Sequence, residues 1–428
     1  MKKTLLTLLM FALVAGFAFA SASQETGGGK KVTIDVLAYG DNANPEGQNW
    51  IRIVEAFMNE NPNVDVKYEL LYDEAYHQKV TARLASGDVP DMAYMGADAR
   101  WGKPWQEAGQ QVDHRPFLDA NYYDLSLIPP MGPNGEVYYV PLGTSNITTV
   151  LYMNKKLVES LGFSAPKTYE DIVAMVPAAK KKGLTVLEIA GGTGWVWGSC
   201  FMSGVVARIT GDPHWVSKAV KGEKKFTDPD FVASLAIIKK MVDDGVIDKK
   251  SLLVDYGGAL TNFNNGKSLF MIDGQWRAGS IDPTLAEDTI LLPLPKLPGQ
   301  KPGMDDSVAA AISIGYGLTK KGSEDAAVRN AGVKFLEYFN SVPEVTIRLQ
   351  DGAIVAPVLK NFPVPEDLPT ISKRKIELAN RAKIVTDVID AYLAGAANET
   401  LNAGMQKIVG GEITPEQLAK QVEELARQ

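Results

Sequence analysis

The sequence predicts an α/β fold divided into two domains, and two observations support this prediction. Short apolar or alternating segments typical of strands recur between amphipathic segments typical of helices, which is the pattern of a mostly parallel sheet covered by helices. The chain has 428 residues, and a single hydrophobic core stops growing beyond roughly 250 to 300 residues. We therefore expect two cores rather than one.

The amino-terminal half begins with two repeats of the strand–helix–strand unit. Residues 32–39 alternate between apolar and polar side chains before Gly40, as a strand with one covered face does. Residues 49–60 carry an apolar helical stripe that Pro62 terminates. The pattern then repeats, with strands predicted at 64–70 and 92–95 and a helix at 74–85 between them.

The same alternation returns beyond residue 138. Strands are predicted at 150–153 and 269–272, and helices at 231–242, at 326–339 and through most of the chain after 371. Thr168 is predicted to cap a further helix with its hydroxyl. Ligands of open α/β sheets bind at the carboxyl ends of strands, so we expect the site in the loops after Tyr39, Met95 and Ile272.

The amino terminus has the three-part layout of a secretory signal peptide over residues 1–22. Two lysines precede an apolar run at 5–19, which is shorter than the ~20 residues of a spanning helix, and small residues follow it. We expect cleavage after Ala20 or Ala22, a flexible leader at 23–31, and release into the periplasm or extracytoplasmic space. An uncleaved amino-terminal anchor is the alternative.

Composition excludes several classes of function. The net charge is −7, and loss of the two leader lysines leaves −9, with no basic stripe that would suit nucleic acid. The single Cys200 is expected to be a buried apolar residue. The three histidines lack metal-ligand spacing, and Gly191-Gly-Thr-Gly194 lacks the Lys-Ser/Thr ending of a phosphate-binding loop. We expect no metal and no cofactor.

Several segments, in this order along the chain, resemble the extracellular solute-binding proteins of ABC importers, the family that includes maltose-binding protein. The likeness covers essentially all of the chain after the leader. Its segments are Phe57-Met-Asn-Glu-Asn-Pro-Asn-Val-Asp-Val66, Leu84-Ala-Ser-Gly-Asp-Val-Pro-Asp-Met92, Leu151-Tyr-Met-Asn-Lys-Lys-Leu-Val-Glu-Ser-Leu-Gly162, Pro166-Lys-Thr-Tyr-Glu-Asp-Ile172, Phe263-Asn-Asn-Gly-Lys-Ser-Leu-Phe-Met-Ile-Asp-Gly-Gln-Trp276 and the predicted helix 326–339.

This resemblance implies a type II periplasmic binding protein fold, in which hinge crossover strands join two α/β lobes around a ligand cleft. The implied amino-terminal lobe comprises residues 32–145 and 310–362, and the carboxyl-terminal lobe comprises 146–309 and 363–428. The implied function is to capture a sugar in the cleft and deliver it to the membrane permease of an ABC importer. Such a protein is not an enzyme, and we expect a monomer.

A sugar site needs hydrogen-bonding side chains together with aromatic platforms for the ring faces. Asp98 and Trp101 follow the strand 92–95, at the end where a ligand loop belongs. The resemblance implies that Trp276 faces the cleft, and its neighbours Gln275 and Arg277 are weaker candidates.

Other candidates come from the remaining loops and crossovers. On an extended segment, Trp195 and Trp197 would point to the same side. Tyr39 and Asp41 end the first strand. Asn146, on the predicted crossover, stands where relatives often have a polar or acidic sugar ligand, and Tyr316 is a candidate at the rim of the cleft.

Two alternatives remain open at this stage. Asp98 and Asp273 could form the carboxylate pair of a secreted glycoside hydrolase, although nothing in the sequence sets their spacing. The ligand could instead be a polyamine, which carboxylates and indoles also suit. A phosphorylated polyol would need several basic residues, and only Arg100 and Arg277 are candidates.

Overall fold

The computed structural model describes residues 31–427, so the predicted signal peptide and all but the last residue of the leader lie outside the described residues. Twelve strands are β1 Val32–Tyr39, β2 Val64–Leu71, β3 Met92–Met95, β4 Val140–Pro141, β5 Asn146–Ile147, β6 Val150–Asn154, β7 Thr185–Glu188, β8 Ser268–Asp273, β9 Thr289–Leu292, β10 Ser307–Ala311, β11 Gly315–Leu318 and β12 Ile384–Thr386.

Within residues 31–427, eighteen α-helical segments surround these strands. They are α1 Pro45–Glu60, α2 Glu74–Ser86, α3 Lys103–Glu107, α4 Lys155–Ser160, α5 Tyr169–Lys181, α6 Gly194–Val196, α7 Ser203–Thr210, α8 Trp215–Val220, α9 Pro229–Asp243, α10 Tyr256–Asn264, α11 Pro283–Ala286, α12 Lys320–Glu324, α13 Ala326–Phe339, α14 Val342–Gln350, α15 Thr370–Arg381, α16 Ile389–Tyr392, α17 Gly395–Gly410 and α18 Pro415–Ala426. A π-helical turn, Trp197–Met202, joins α6 to α7, and 3₁₀ turns include Gln275–Ser280.

Each lobe is built on its own sheet. The first lobe holds a five-stranded sheet of order β2-β1-β3-β11-β4, and the second holds a four-stranded sheet of order β7-β8-β6-β9. Strand β1 is parallel to β2 and β3, whereas β11 is antiparallel to β3 and β4. In the second sheet β7 and β8 are parallel, but β6 is antiparallel to both of its neighbours. The sheets are therefore mixed, which corrects the prediction of a mostly parallel sheet.

A third, small sheet of order β12-β10-β5 lies where the chain passes between the lobes. Strand β5 connects β4 of the first lobe to β6 of the second, and β10 connects β9 back to β11. The two crossover strands pair with each other in antiparallel register, with Ala310 opposite Ile147 and Ala311 opposite Asn146. This pairing forms the hinge.

Separate hydrophobic cores fill the two lobes. The first core packs α1 and α13 against the five-stranded sheet through buried aromatic side chains such as Trp50, Phe57 and Phe335. The second core packs α5, α7, α9, α17 and α18 around Trp197, Phe201 and other buried residues of the second lobe. Burial of these apolar surfaces supplies most of the driving force for folding each lobe. The predicted two-lobed α/β architecture is confirmed.

Local sequence signals explain most element ends. The Thr168 hydroxyl accepts a hydrogen bond from the Asp171 amide, and the Asp171 carboxylate accepts from Thr168, as the predicted cap requires. Helix α1 begins at Pro45 rather than at residue 49, because the Asn44 side chain caps it and proline is favoured in a first helical turn. Strand β12 interrupts the carboxyl-terminal part, which the sequence predicted to be almost entirely helical.

Across residues 31–427 no helix is long and apolar enough to cross a membrane. The same part of the chain contains no group of three or more His, Cys, Asp or Glu residues placed to hold a metal ion. Cys200 is fully buried, as predicted.

Candidate functional site

A cavity of about 110 Å³ lies between the two lobes, beside the hinge. Its wall combines aromatic, acidic and neutral polar side chains. From the first lobe come Tyr39, Glu46, Tyr72, Asp73, Tyr94, Asp98, Arg100 and Trp101; from the second come Trp195, Ser199, Tyr256, Gln275, Trp276 and Asp390; and Asn146, Thr148, Ala311 and Ser313 come from the hinge region.

The first lobe contributes an aromatic cluster at the ends of β1 and β3. Tyr39 stacks on Tyr94 with ring centroids 5.0 Å apart and meets the edge of Trp101 at 5.2 Å. The Trp101 backbone is fixed by Asp98, whose Oδ1 accepts hydrogen bonds from the amides of Arg100 and Trp101 at 3.0 and 2.7 Å. The position of Trp101 is thus set by a carboxylate that also lines the cavity.

A second aromatic cluster faces the first from the other lobe. Trp195 lies 4.9 Å from Tyr256 and 6.2 Å from Trp276, measured between ring centroids. Trp276 Nε1 donates to the Tyr256 hydroxyl, and the Arg277 guanidinium lies 3.5 Å from the centre of the Tyr256 ring. Arg277 is itself held by Asp273, 2.9 Å from its Nε. The cavity therefore has indole and phenol surfaces on both sides.

Enclosure in the cavity changes the protonation of its carboxyl groups. Burial raises the pKa of Asp98 to about 7, and the nearby Asp390 carboxylate contributes to the rise. Burial also raises the pKa of Asp390 and of Glu46 above their ordinary values. These shifts show that a negative charge is poorly solvated here.

Arg100 is the basic side chain on the cavity wall, and three neighbours hold it. Its Nε donates to His77 Nε2 at 3.0 Å, Nη2 donates to Glu74 at 3.4 Å, and Nη1 lies 3.7 Å from Asp390. Burial and the Arg100 charge lower the pKa of His77 to about 3, so its imidazole is neutral and accepts the hydrogen bond.

Several contacts join the lobes across the cavity. Trp195 Nε1 donates to Asp73 Oδ1 at 2.8 Å, and the Ala99 amide donates to the Ala391 carbonyl at 2.9 Å. The Arg100 guanidinium also lies 5.6 Å from the centre of the Trp195 ring. The lobes therefore touch each other directly as well as through the hinge.

Seven of the side chains predicted for the site line this cavity. They are Tyr39, Asp98, Trp101, Asn146, Trp195, Gln275 and Trp276. They lie at strand ends, in the loops and turns that follow, or in the helical turn at 194–196, so the rule that ligands bind at strand ends led to these parts of the cavity wall.

Trp197 does not reach the cavity, which corrects its prediction. Its side chain is fully buried in the core of the second lobe, and its Nε1 donates to the Gly191 carbonyl at 3.1 Å. The prediction assumed an extended segment, but α6 and the π-helical turn make this segment helical. On a helix, residues i and i+2 point to different sides, so only Trp195 faces the cleft.

Three further candidates lie behind the wall and support it. The Tyr316 ring is buried against Trp50 at 4.6 Å, and its hydroxyl accepts from the Tyr39 amide at 3.2 Å. Arg277 braces Tyr256 as described above. Asp41 Oδ1 accepts from the amides of residues 43 and 44, and so shapes the turn before α1. None of the three is on the cavity wall.

Sequence reasoning missed part of the wall. Tyr72 and Asp73 directly follow β2, so the strand-end rule would have found them had it been applied to that strand. Tyr256, Ser199 and Asp390 reach the cavity through the tertiary fold, from a helix start, a π-helical turn and a short helix near the carboxyl terminus. No local pattern in the sequence distinguished these three.

Comparison with known proteins identifies relatives of this chain. It is 28% identical over 281 residues to the multiple sugar-binding protein of Streptococcus mutans serotype c, an alignment that spans 61% of this chain and 63% of that protein. Among solved structures, a chitin oligosaccharide binding protein superposes with a TM-score of 0.80 at 23% identity, over 93% of this chain and 99% of the other. Maltose-bound T. maritima MalE3 gives a TM-score of 0.73 at 18% identity, over 92% and 99% of the two chains.

The alignment with the streptococcal protein spans less than two thirds of that protein's length. The structural neighbours confirm the type II periplasmic binding protein fold. Residues 24–344 match the profile of the bacterial extracellular solute-binding protein family, which is most of the chain. The chain therefore belongs to the bacterial extracellular solute-binding protein family.

Proposed function

We propose that this protein captures a sugar between its two lobes outside the cytoplasm and delivers it to the permease of an ABC importer. The observation that carries the proposal is the interlobe cavity, whose indole and phenol surfaces face each other across a set of hydrogen-bonding groups. The C–H faces of a sugar ring suit aromatic surfaces, and its hydroxyls suit the carboxylates and amides between them. The S. mutans relative is named for sugar binding, which supports the same ligand class.

The size of the cavity favours one sugar unit at its centre. About 10 to 15 Å³ accommodates one water-sized group, so the volume of about 110 Å³ holds roughly seven to eleven such groups. That is close to the size of a single sugar ring. Longer sugars would extend past the contacts between the lobes.

In the proposed mechanism the two lobes close around the ligand by bending at β5 and β10. One lobe comprises residues 32–145 and 310–362, and the other comprises residues 146–309 and 363–428. Ligand can favour closure only through contacts made in the closed state. Trp101 on one lobe and Trp276 on the other provide such contacts, since a ring between them is covered only when the lobes meet. The closed monomer then docks on the permease.

Titration with a panel of mono- and disaccharides, followed by tryptophan fluorescence and calorimetry, tests the proposal. We expect saturable one-to-one binding of a sugar, with no release of reducing ends. A response to polyamines or to phosphorylated polyols alone would contradict the sugar assignment, and sustained turnover of an oligosaccharide would contradict the binding function.

A further inference from the structure

Most of the charged side chains on the cavity wall are acidic. Four carboxylates line it, those of Glu46, Asp73, Asp98 and Asp390, against the single guanidinium of Arg100. Burial raises the pKa of the Glu46 carboxyl, and the charge of the Arg277 guanidinium acts on Glu46 to lower that pKa. The unbalanced negative charge therefore belongs to the three aspartates.

Arg100 forms an ion pair with only one of the three aspartates, Asp390. Its three nitrogens are directed to His77, Glu74 and Asp390, and the Asp390 contact is long, at 3.7 Å. Among residues 31–427, Asp73 and Asp98 form no ion pair with a basic side chain. Two carboxylates thus face the cavity without a cation.

Two carboxylate oxygens on the wall are free to accept hydrogen bonds. Asp73 and Asp98 each use Oδ1 for protein hydrogen bonds, and the Oδ2 of each receives none from the part of the chain that the structure describes.

Gln275 provides an independent observation, because its side chain is only 3% exposed and its Oε1 has no donor within residues 31–427. Its Nε2 donates to the Ser145 carbonyl at 2.8 Å, which fixes the orientation of the amide. A ligand that donates a hydrogen bond would satisfy this oxygen, and a buried acceptor without a partner is costly.

A positively charged ligand group removes this imbalance. Burial raises the pKa of Asp98 and of Asp390, and the Asp390 charge raises the pKa of Asp98 further, so this arrangement disfavours their ionised forms. An ammonium among them favours ionisation, and the indole faces attract it as well. A neutral sugar supplies donors but leaves the repulsion, and a phosphate increases it.

We propose that the sugar is an amino sugar, whose ammonium group binds among Asp73, Asp98 and Asp390 while its ring lies between the indoles. This inference rests on the proposed sugar-binding function and names the ligand class within it.

Calorimetry with matched sets of ligands tests the proposal. Each set contains one free hexosamine (glucosamine, galactosamine or mannosamine), its neutral parent hexose and its N-acetyl derivative, and putrescine and spermidine serve as non-sugar cations. We expect at least one free hexosamine to bind about tenfold or more tightly than its parent and its N-acetyl form, a difference of about 1.4 kcal/mol.

The variant Asp98→Asn gives a charge-specific test. It retains an Oδ1 that accepts from the amides of Arg100 and Trp101, so the loop keeps its cap while the carboxylate charge is lost. We expect the preference for the free amine over its neutral parent to fall several-fold. The control Asp367→Asn alters an exposed carboxylate that does not line the cavity and is expected to leave this preference unchanged.

The outcomes separate the two proposals. If neutral or N-acetylated sugars bind as tightly as the free amine, or if Asp98→Asn and Asp390→Asn leave the preference unchanged, the amino-sugar inference is wrong and sugar binding stands. If polyamines alone bind, both are wrong.

Discussion

Trp195 donates a hydrogen bond to Asp73 across the cavity, and this bond joins the two lobes. The backbone of Asp73 has φ of 54° and ψ of −138°, a conformation that residues other than glycine rarely adopt. Such a conformation costs roughly 1 to 3 kcal/mol and persists only where surrounding contacts hold it. The hydrogen bond from Trp195 of the other lobe is one of the contacts that Asp73 makes in this conformation.

Replacing Asp73 with alanine is expected to weaken ligand binding by favouring the open arrangement. A typical hydrogen bond contributes about 0.5 to 1.5 kcal/mol, so affinity should fall by about two- to twelvefold or more. Calorimetry measures the affinity, and small-angle X-ray scattering measures the radius of gyration, which should increase. The control Asp367→Ala removes an exposed carboxylate and should alter neither quantity. Equal affinity and scattering in Asp73→Ala and the unmodified protein would exclude a role in closure.

Trp276 is expected to be a platform for the sugar ring. Trp276→Ala should weaken binding by roughly 1 to 3 kcal/mol, the range of aromatic stacking contacts. Trp276→Phe keeps an aromatic face but loses the donor to the Tyr256 hydroxyl, so a smaller loss is expected. Thermal unfolding of both variants checks that they fold. Unchanged affinity in a folded Trp276→Ala protein would remove this indole from the site.

The sequence predicted those site residues whose position follows from the local chain. Tyr39, Asp98 and Trp276 stand at or just after strand ends, and the periodicity that identified the strands therefore located them. Trp197 was misplaced because its orientation depends on whether residues 194–202 are extended or helical, and two indoles with flanking glycines do not decide this.

Other site residues depend on long-range packing. Asp390 lies almost 300 residues from Asp98 along the chain, yet the two carboxylates influence each other in the cavity. Its position requires α16 to pack against the π-helical turn of the second lobe. Likewise the antiparallel strands β6 and β11 follow from the crossovers at the hinge, which strand patterns do not reveal. The charge balance of the cavity could therefore be determined only from the structure.

Asp98 is expected to make folding stability depend on pH. Its folded pKa is about 7 against an ordinary 3.8, and Asp390, Arg100 and the Tyr139 hydroxyl face it. Between about pH 4 and 7 the folded protein thus retains a proton that the unfolded chain has released. The bound proton stabilises the folded state, and its contribution to the free energy of unfolding falls as pH rises through that range.

Asp98→Asn removes this contribution while keeping an acceptor for the loop amides. The unfolding temperature of the variant relative to the unmodified protein should therefore rise between about pH 5 and pH 8. Comparing the two proteins at each pH cancels the titration of groups such as His77, whose lowered pKa has the opposite effect on stability. A constant difference in unfolding temperature across this range would mean that Asp98 ionises normally in the folded protein.

Gly279 is expected to control how closely the lobes approach. It lies in the 3₁₀ turn that carries Gln275 and Trp276, and a Cβ at this position would lie 2.5 Å from the carbonyl oxygen of Asp351 in the first lobe. A backbone atom cannot move aside as a flexible side chain can, so Gly279→Ala must push the two segments apart.

We expect Gly279→Ala to lower ligand affinity by about tenfold, because such overpacking typically costs about 1 to 3 kcal/mol and the open arrangement avoids it. Without ligand, the substitution should change the unfolding temperature only slightly, since each lobe retains its own core. It should have a larger effect on the increase in unfolding temperature that ligand produces. Gly257→Ala is the matched control, because a Cβ there meets only one atom, 3.9 Å away. Wild-type affinity and scattering in Gly279→Ala would show that this contact does not limit closure, and the hinge at β5 and β10 together with the other interlobe contacts would then set the closed geometry.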